Sequence, residues 1–138
     1  MKDSISLNWL SDMAFDAEIN GHKIYLDASV ENGGKDIGPR PKPLMLVALG
    51  GCTGMDLVSL LNKMRVKYDS LNITVEGDLT EEHPKTFYKM KVIYSLKGDN
   101  IPLEKVQKAV DLSKDRYCGV HAAYKKAMEI EFEIRINE

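Results

Sequence analysis

Apolar and polar residues alternate from the start of the chain. Ile5, Leu7 and Trp9 interleave with Ser4, Ser6 and Asn8, the period-2 pattern of a half-buried strand. Phe15, Ala17 and Ile19 alternate with Asp16 and Glu18. Asn20-Gly21 is then a two-residue hairpin signal, and His22–Ser29 returns with Ile24, Leu26 and Ala28 on one face. An antiparallel meander is predicted. Asn32, Gly33, Gly34, Gly38, Pro39, Pro41 and Pro43 make the next stretch, Glu31–Pro43, a loop.

The period then changes. From Leu44 to about Lys67 there is no proline, and Met45, Leu49, Cys52, Met55/Asp56 and Ser59 follow one line at spacings of three and four. Leu46, Leu57, Leu60, Leu61 and Met64 cover other faces. A helix apolar nearly all round is expected to be buried in the middle of the fold. Gly50, Gly51 and Gly54 each cost about 1 kcal/mol in a helix interior, which points to close approach of another backbone or a substrate beside Cys52. Alternation resumes with Leu71, Ile73 and Val75, and again with Tyr88, Met90, Val92, Tyr94 and Leu96. Pro102 opens a helix over Leu103–Lys114, a short helix is predicted from Cys118 to about Met128, and Glu129–Ile136 closes as a strand. The order βββ–α–ββ–αα–β is α+β.

Length and charge narrow the function. A chain of 138 residues corresponds to one domain, 1–138, with enough core to need no staples. Nineteen Lys+Arg against twenty-one Asp+Glu leave a net charge of −2, so no nucleic-acid partner is expected. The longest unbroken apolar run, Leu44–Leu49, is far shorter than a membrane span, and the first ten residues carry no apolar signal core. A cytoplasmic protein with no membrane partner is expected.

Two cysteines, Cys52 and Cys118, stand 66 positions apart and carry the candidate chemistry. Most free cysteines are small buried hydrophobes. Cys52, however, sits in Gly50-Gly51-Cys52-Thr53-Gly54, stripped of neighbouring bulk, so a small substrate could approach it. Cys118 stands at a predicted helix start two residues after Arg116, where positive potential would favour its thiolate. His121 follows at i+3 and could assist Cys118, pack in the core, or complete a Cys52–Cys118–His121 metal set. That set lacks a fourth ligand, and no metal or other cofactor is expected.

The run Gly38-Pro39-x-Pro41 followed by Leu49-Gly50-Gly51-Cys52-Thr53-Gly54-Met55-Asp56-Leu57-Val58-Ser59-Leu60-Leu61 resembles the central-helix signature of the OsmC/Ohr family, the osmotically induced and organic-hydroperoxide-resistance proteins. Glu81–Phe87 resembles the loop and strand that follow, and Tyr117-Cys118-Gly119-Val120 the second cysteine motif. The resemblance runs from about residue 38 to the end. It implies an intertwined homodimer in which antiparallel sheets from both chains wrap long central helices. It also implies thiol peroxidase chemistry on organic hydroperoxides, with Cys52 as the reactive and Cys118 as the resolving cysteine, joined as a disulfide that an external dithiol reduces.

This chain departs from the pattern. The family's best-studied members carry an arginine in an N-terminal strand and turn and a glutamate nine or ten residues before the reactive cysteine. Lys42 and Pro43 occupy the glutamate window here, and no arginine precedes Arg40, which is left as the candidate source of positive charge. A divergent OsmC-like branch is implied. The alternative to a peroxidase is a non-catalytic dimer that senses redox state or holds a small apolar ligand in an interface pocket.

Overall fold

The structure is a computed structural model that describes residues 1–138. It contains β1 (Ser6–Ser11), β2 (Ala14–Ile19), β3 (His22–Leu26), a 3₁₀ turn at Val30–Asn32, α1 (Leu44–Lys63), β4 (Ser70–Leu79), β5 (Phe87–Lys97), α2 (Leu103–Leu112), a π turn at Ser113–Tyr117, α3 (Gly119–Tyr124) and β6 (Glu129–Ile136). The expected α+β class holds: two three-stranded sheets and one long helix. Its contacts group into two compact units, Met1–Met45 and Leu46–Glu138.

In the first unit β1, β2 and β3 form the predicted meander, with Ile19 opposite His22 across the hairpin. Asn20 and Gly21 both take positive φ (51° and 80°), the conformation that a tight two-residue hairpin requires. The inward face differs from the expectation. β1 is an edge strand exposed at every position, with Trp9 64% exposed and its indole N–H given to Asp12 O at 2.9 Å. On β2 it is Asp16 that is buried while Phe15 is exposed. Asn8 Nδ2 donates to the Asp16 carboxylate at 3.1 Å and Lys23 Nζ pairs with it at 3.6 Å, so polar partners compensate the burial. Asp27 ties down the following loop by accepting from the backbone N–H groups of Ala28, Lys35 and Ile37. Burial pushes its carboxyl up, but these three donors and the charge of Arg40 together hold it below the usual carboxylate range.

In the second unit β4 and β5 pair antiparallel from Ser70/Lys97 to Leu79/Phe87. β6 pairs with β5 in parallel, a departure from the all-antiparallel sheets that the resemblance implies. The physical reason is the connection, since α2, the π turn and α3 carry the chain back before β6 begins, as a parallel crossover demands. Leu49, Leu57 and Leu61 of α1 share a core with Met90, Val92, Tyr94 and Leu96 of β5 and Val106 and Ala109 of α2, all completely buried.

α1 ends four residues before the predicted boundary, in a Schellman motif. Val66 N–H bonds to Leu61 O and Arg65 N–H to Asn62 O, with Arg65 in the left-handed region at φ 59°. The close approach expected at its glycines is that of β4 side chains. A Cβ on Gly50 would stand 3.0 Å from Val75 Cγ2 and one on Gly54 2.6 Å from Ile73 Cδ1, whereas Gly51 faces open space. The helix is not buried all round. Leu49, Thr53, Gly54, Leu57 and Leu61 are covered, but Met55 is 77% and Val47 65% exposed. By length and composition α1, with a mean hydropathy of 1.8, is long and apolar enough to cross a membrane. The longest unbroken apolar run understates this, because interspersed Gly, Thr and Ser hardly lower an average.

The fit at Gly77 yields a stability prediction. A methyl there would meet Phe87 Cε1 at 2.6 Å and Leu46 Cδ2 at 2.9 Å. Gly77→Ala is expected to lower unfolding free energy by about 1–3 kcal/mol, the range for overpacking, read as a lower urea midpoint at unchanged slope.

Candidate functional site

The site lies wholly in the second unit and is built from two segments. α1 brings Cys52 and, one turn later on the same face, Asp56. The segment after α2 brings Ser113 and Cys118. At Ser113 the helix widens into a π turn in which Cys118 N–H bonds back to Ser113 O at 2.8 Å, five residues earlier. The turn aims the completely buried Ser113 hydroxyl at α1, where it donates to Asp56 Oδ2 at 2.8 Å. The Sγ atoms of Cys52 and Cys118 and a carboxylate oxygen of Asp56 all lie within 4.8 Å of one another. Both thiols are free.

The two cysteines differ in environment. Cys52 is half-buried, whereas Cys118 is only 2% exposed. Cys118 is the N-cap of α3, and its sulfur accepts the His121 N–H at 3.3 Å. The expectation that this position would favour its thiolate is reversed. Burial, reinforced by a hydrogen bond to Cys52, pushes the Cys118 thiol up to about 11, although the His121 and Val120 N–H groups act in the opposite sense. Loss of solvation outweighs a helix end of six residues. Arg116 gives no help here, as its guanidinium lies over the adjacent Tyr117 ring, 5.8 Å from the centroid.

Tyr94 of β5 forms the floor. It is completely buried, and its Oη has no hydrogen-bond partner. Thr53 is near enough to ease its ionisation slightly, but the Thr53 hydroxyl is committed to Leu49 O at 2.9 Å and leaves Tyr94 unsatisfied. Burial is the main reason that the phenol is pushed up to about 12, and the charges of Cys118 and Asp56 add to it.

His121 touches Cys118 through its backbone. Its ring Nδ1 lies 2.9 Å from Lys114 O, which can only accept, so Nδ1 carries the proton; the ring packs edge-on against Phe132, with centroids 5.1 Å apart. Arg40 belongs to the first unit, where it pairs with Asp36 at 2.7 Å and donates to Gly38 O at 2.9 Å. Asp56 is the site residue that the sequence reading passes over. Its signal is present, since it is the only charged residue of α1 before Lys63 and stands at i+4 from Cys52.

A family model described as OsmC-like protein matches residues 33–133. Protein YhfA of Escherichia coli K12 is 32% identical over 125 residues, 90% of each chain. A hypothetical protein from Aquifex aeolicus VF5 superposes with a TM-score of 0.86 at 25% identity, over 99% of this chain and 97% of that one. The organic hydroperoxide resistance protein OhrB of Bacillus subtilis shares the fold, with a TM-score of 0.68 at 12% identity over 98% of both chains. The matched span contains both cysteine motifs and the helix, sheet and turn that bring them together, and the chain belongs to the OsmC-like protein family.

Proposed function

We propose that the protein is a cysteine-based peroxidase for organic hydroperoxides. The observation that carries this reading is the meeting of two free thiols, 66 positions apart in sequence, within 4.8 Å, one half-buried and one buried. The hydroperoxide-resistance function in the name of the Bacillus relative supports the substrate class. In the proposed cycle the Cys52 thiolate attacks the distal peroxide oxygen, the O–O bond breaks, and alcohol leaves with one proton. The Cys52 sulfenic acid then condenses with the Cys118 thiol, forming the S–S bond and releasing water. An external dithiol takes over the oxidation and returns both thiols. The division of roles follows exposure, because Cys52 is the sulfur that a substrate can reach. The high proton affinity of Cys118 keeps it a thiol until Cys52 has been oxidised beside it.

The redox-sensing alternative has one observation in its favour. No arginine or lysine pairs with Asp56, and none contributes to the ionisation of Cys118, whose thiolate is favoured only by the His121 and Val120 N–H groups. A thiol pair without a paired cation suits a sensor.

The two units act as one domain in a cytoplasmic homodimer on this reading. A second copy covers the open side of α1, where Gly50, Gly51, Met55, Val58 and Ile73 line a groove of ≈ 670 Å³. An apolar surface of this kind calls for a cover, which a second copy of the chain supplies on this reading.

Two measurements test these proposals. Cys52→Ser is expected to reduce consumption of an organic hydroperoxide to background, while Cys118→Ser leaves a Cys52 sulfenic acid that a dimedone probe captures in mass spectra. Two unmodified thiols after one equivalent of hydroperoxide would exclude the peroxidase, and a modified Cys118 beside an intact Cys52 would exchange the roles. For the assembly, light scattering without detergent is expected to give twice 15.5 kDa, and Met55→Lys to shift the protein towards monomer. Recovery only in detergent would assign the open face of α1 to lipid instead.

A further inference from the structure

The geometry points to a metal site: we propose that reduced Cys52 and Cys118, with Asp56, bind one thiophilic divalent cation, zinc being the best fit. This goes beyond the peroxidase reading and does not depend on it.

Three observations carry the inference. The first is the ligand set. Two sulfurs and a carboxylate oxygen from α1 and the post-π-turn segment converge within 4.8 Å. A tetrahedral zinc ion with Zn–S bonds of about 2.3 Å and Zn–O bonds of about 2.0–2.2 Å holds its ligand atoms about 3.5–3.8 Å apart. Small side-chain rotations therefore close the site. Sulfur ligands select zinc over magnesium or calcium.

The second observation is charge. All three groups become anionic when they ionise, and no ion pair of the chain includes Asp56. A divalent ion would supply the missing counter-charge, since it displaces two thiol protons and neutralises the sulfurs it binds.

The third is the surrounding shell. Ser113 Oγ already donates to Asp56 Oδ2 at 2.8 Å, and the His121 N–H already points at Cys118 Sγ at 3.3 Å. These are the second-layer hydrogen bonds that orient carboxylate and thiolate ligands. Tyr94 Oη, completely buried and without a partner, lies close enough to Cys118 and Asp56 to feel the charge of both. Three protein ligands leave the fourth tetrahedral position to a water, and such a water would satisfy the orphaned phenol. His121 is not a ligand in this assignment, because its Nδ1 is held by Lys114 O and its ring by Phe132.

The test uses the full chain, reduced and stripped with a chelator. Cobalt(II) and zinc are titrated in turn, with a chromophoric competitor for zinc. One equivalent per chain is expected, with a thiolate-to-cobalt charge-transfer band and the intense visible bands of tetrahedral cobalt. Zinc should also slow alkylation of both thiols, a readout that requires no variant. Cys118→Ser should roughly halve the charge-transfer intensity, and Asp56→Asn, which can still accept the Ser113 hydrogen bond, should weaken zinc binding at least tenfold. Circular dichroism confirms that each variant is folded. Substoichiometric binding, cobalt bound without a charge-transfer band, or an affinity unchanged in folded Asp56→Asn would each overturn the assignment. Peroxide consumption by the metal-free protein reports separately on the proposed catalytic activity.

Discussion

The site depends on Ser113. This completely buried serine uses both of its polar groups across a long stretch of sequence: its hydroxyl donates to Asp56 on α1, and its carbonyl accepts the N–H of Cys118. One residue thus links the helix that carries Cys52 to the segment that carries Cys118. A hydrogen bond to a charged partner contributes about 1.5–3 kcal/mol, and this one closes a loop of more than fifty residues. The backbone half of the link is a π turn. An α-turn would bond residue 117 to 113; the extra residue shifts Cys118 along the axis and lets its sulfur cap the next helix.

The second constraint is the uneven cover of α1. Its buried line, Leu49, Thr53, Leu57 and Leu61, advances in steps of four and meets the β4–β5–β6 core. Gly50 and Gly54 lie beside that line and let Val75 and Ile73 approach the helix backbone. Glycine inside a helix costs about 1 kcal/mol relative to alanine, so two such positions are sustained only by the packing they permit. Cys52 lies two residues from each of these glycines, about half a turn around the helix, so the packing against β4 and the surroundings of the thiol belong to different faces of α1.

Elements whose evidence is local were readable along the chain. The Asn20-Gly21 hairpin, the start of α1 after Pro43 and the bounds of β6 follow from turn chemistry and periodicity. Direction and facing were not. Alternation assigns residues to two faces without saying which one is covered, and on β2 it is Asp16 that is buried and Phe15 that is exposed. Period-2 patterning is equally silent on whether β6 runs parallel or antiparallel to β5. The two cysteines were legible as a pair from their motifs. Asp56 stands on the same helix line as Cys52, but only the placement of its serine partner, 57 positions away, shows what it does. The π turn has no signature in Ser113–Tyr117 separate from that of an ordinary helix end.

Burial and charge act on the two sulfurs unequally, and this difference orders the chemistry. Placing Cys118 beneath α3 deprives its thiolate of water, and two backbone N–H groups at the helix start recover only part of that loss. A helix start favours the thiolate of an exposed cysteine, but here desolvation is the larger effect. Cys52, by contrast, is only half-buried. A buried sulfur that holds its proton, beside an accessible one, is a poor first nucleophile and a well-placed second one. Asp56 belongs to the same 4.8 Å cluster as both sulfurs, and the Ser113 hydrogen bond already orients its carboxylate there.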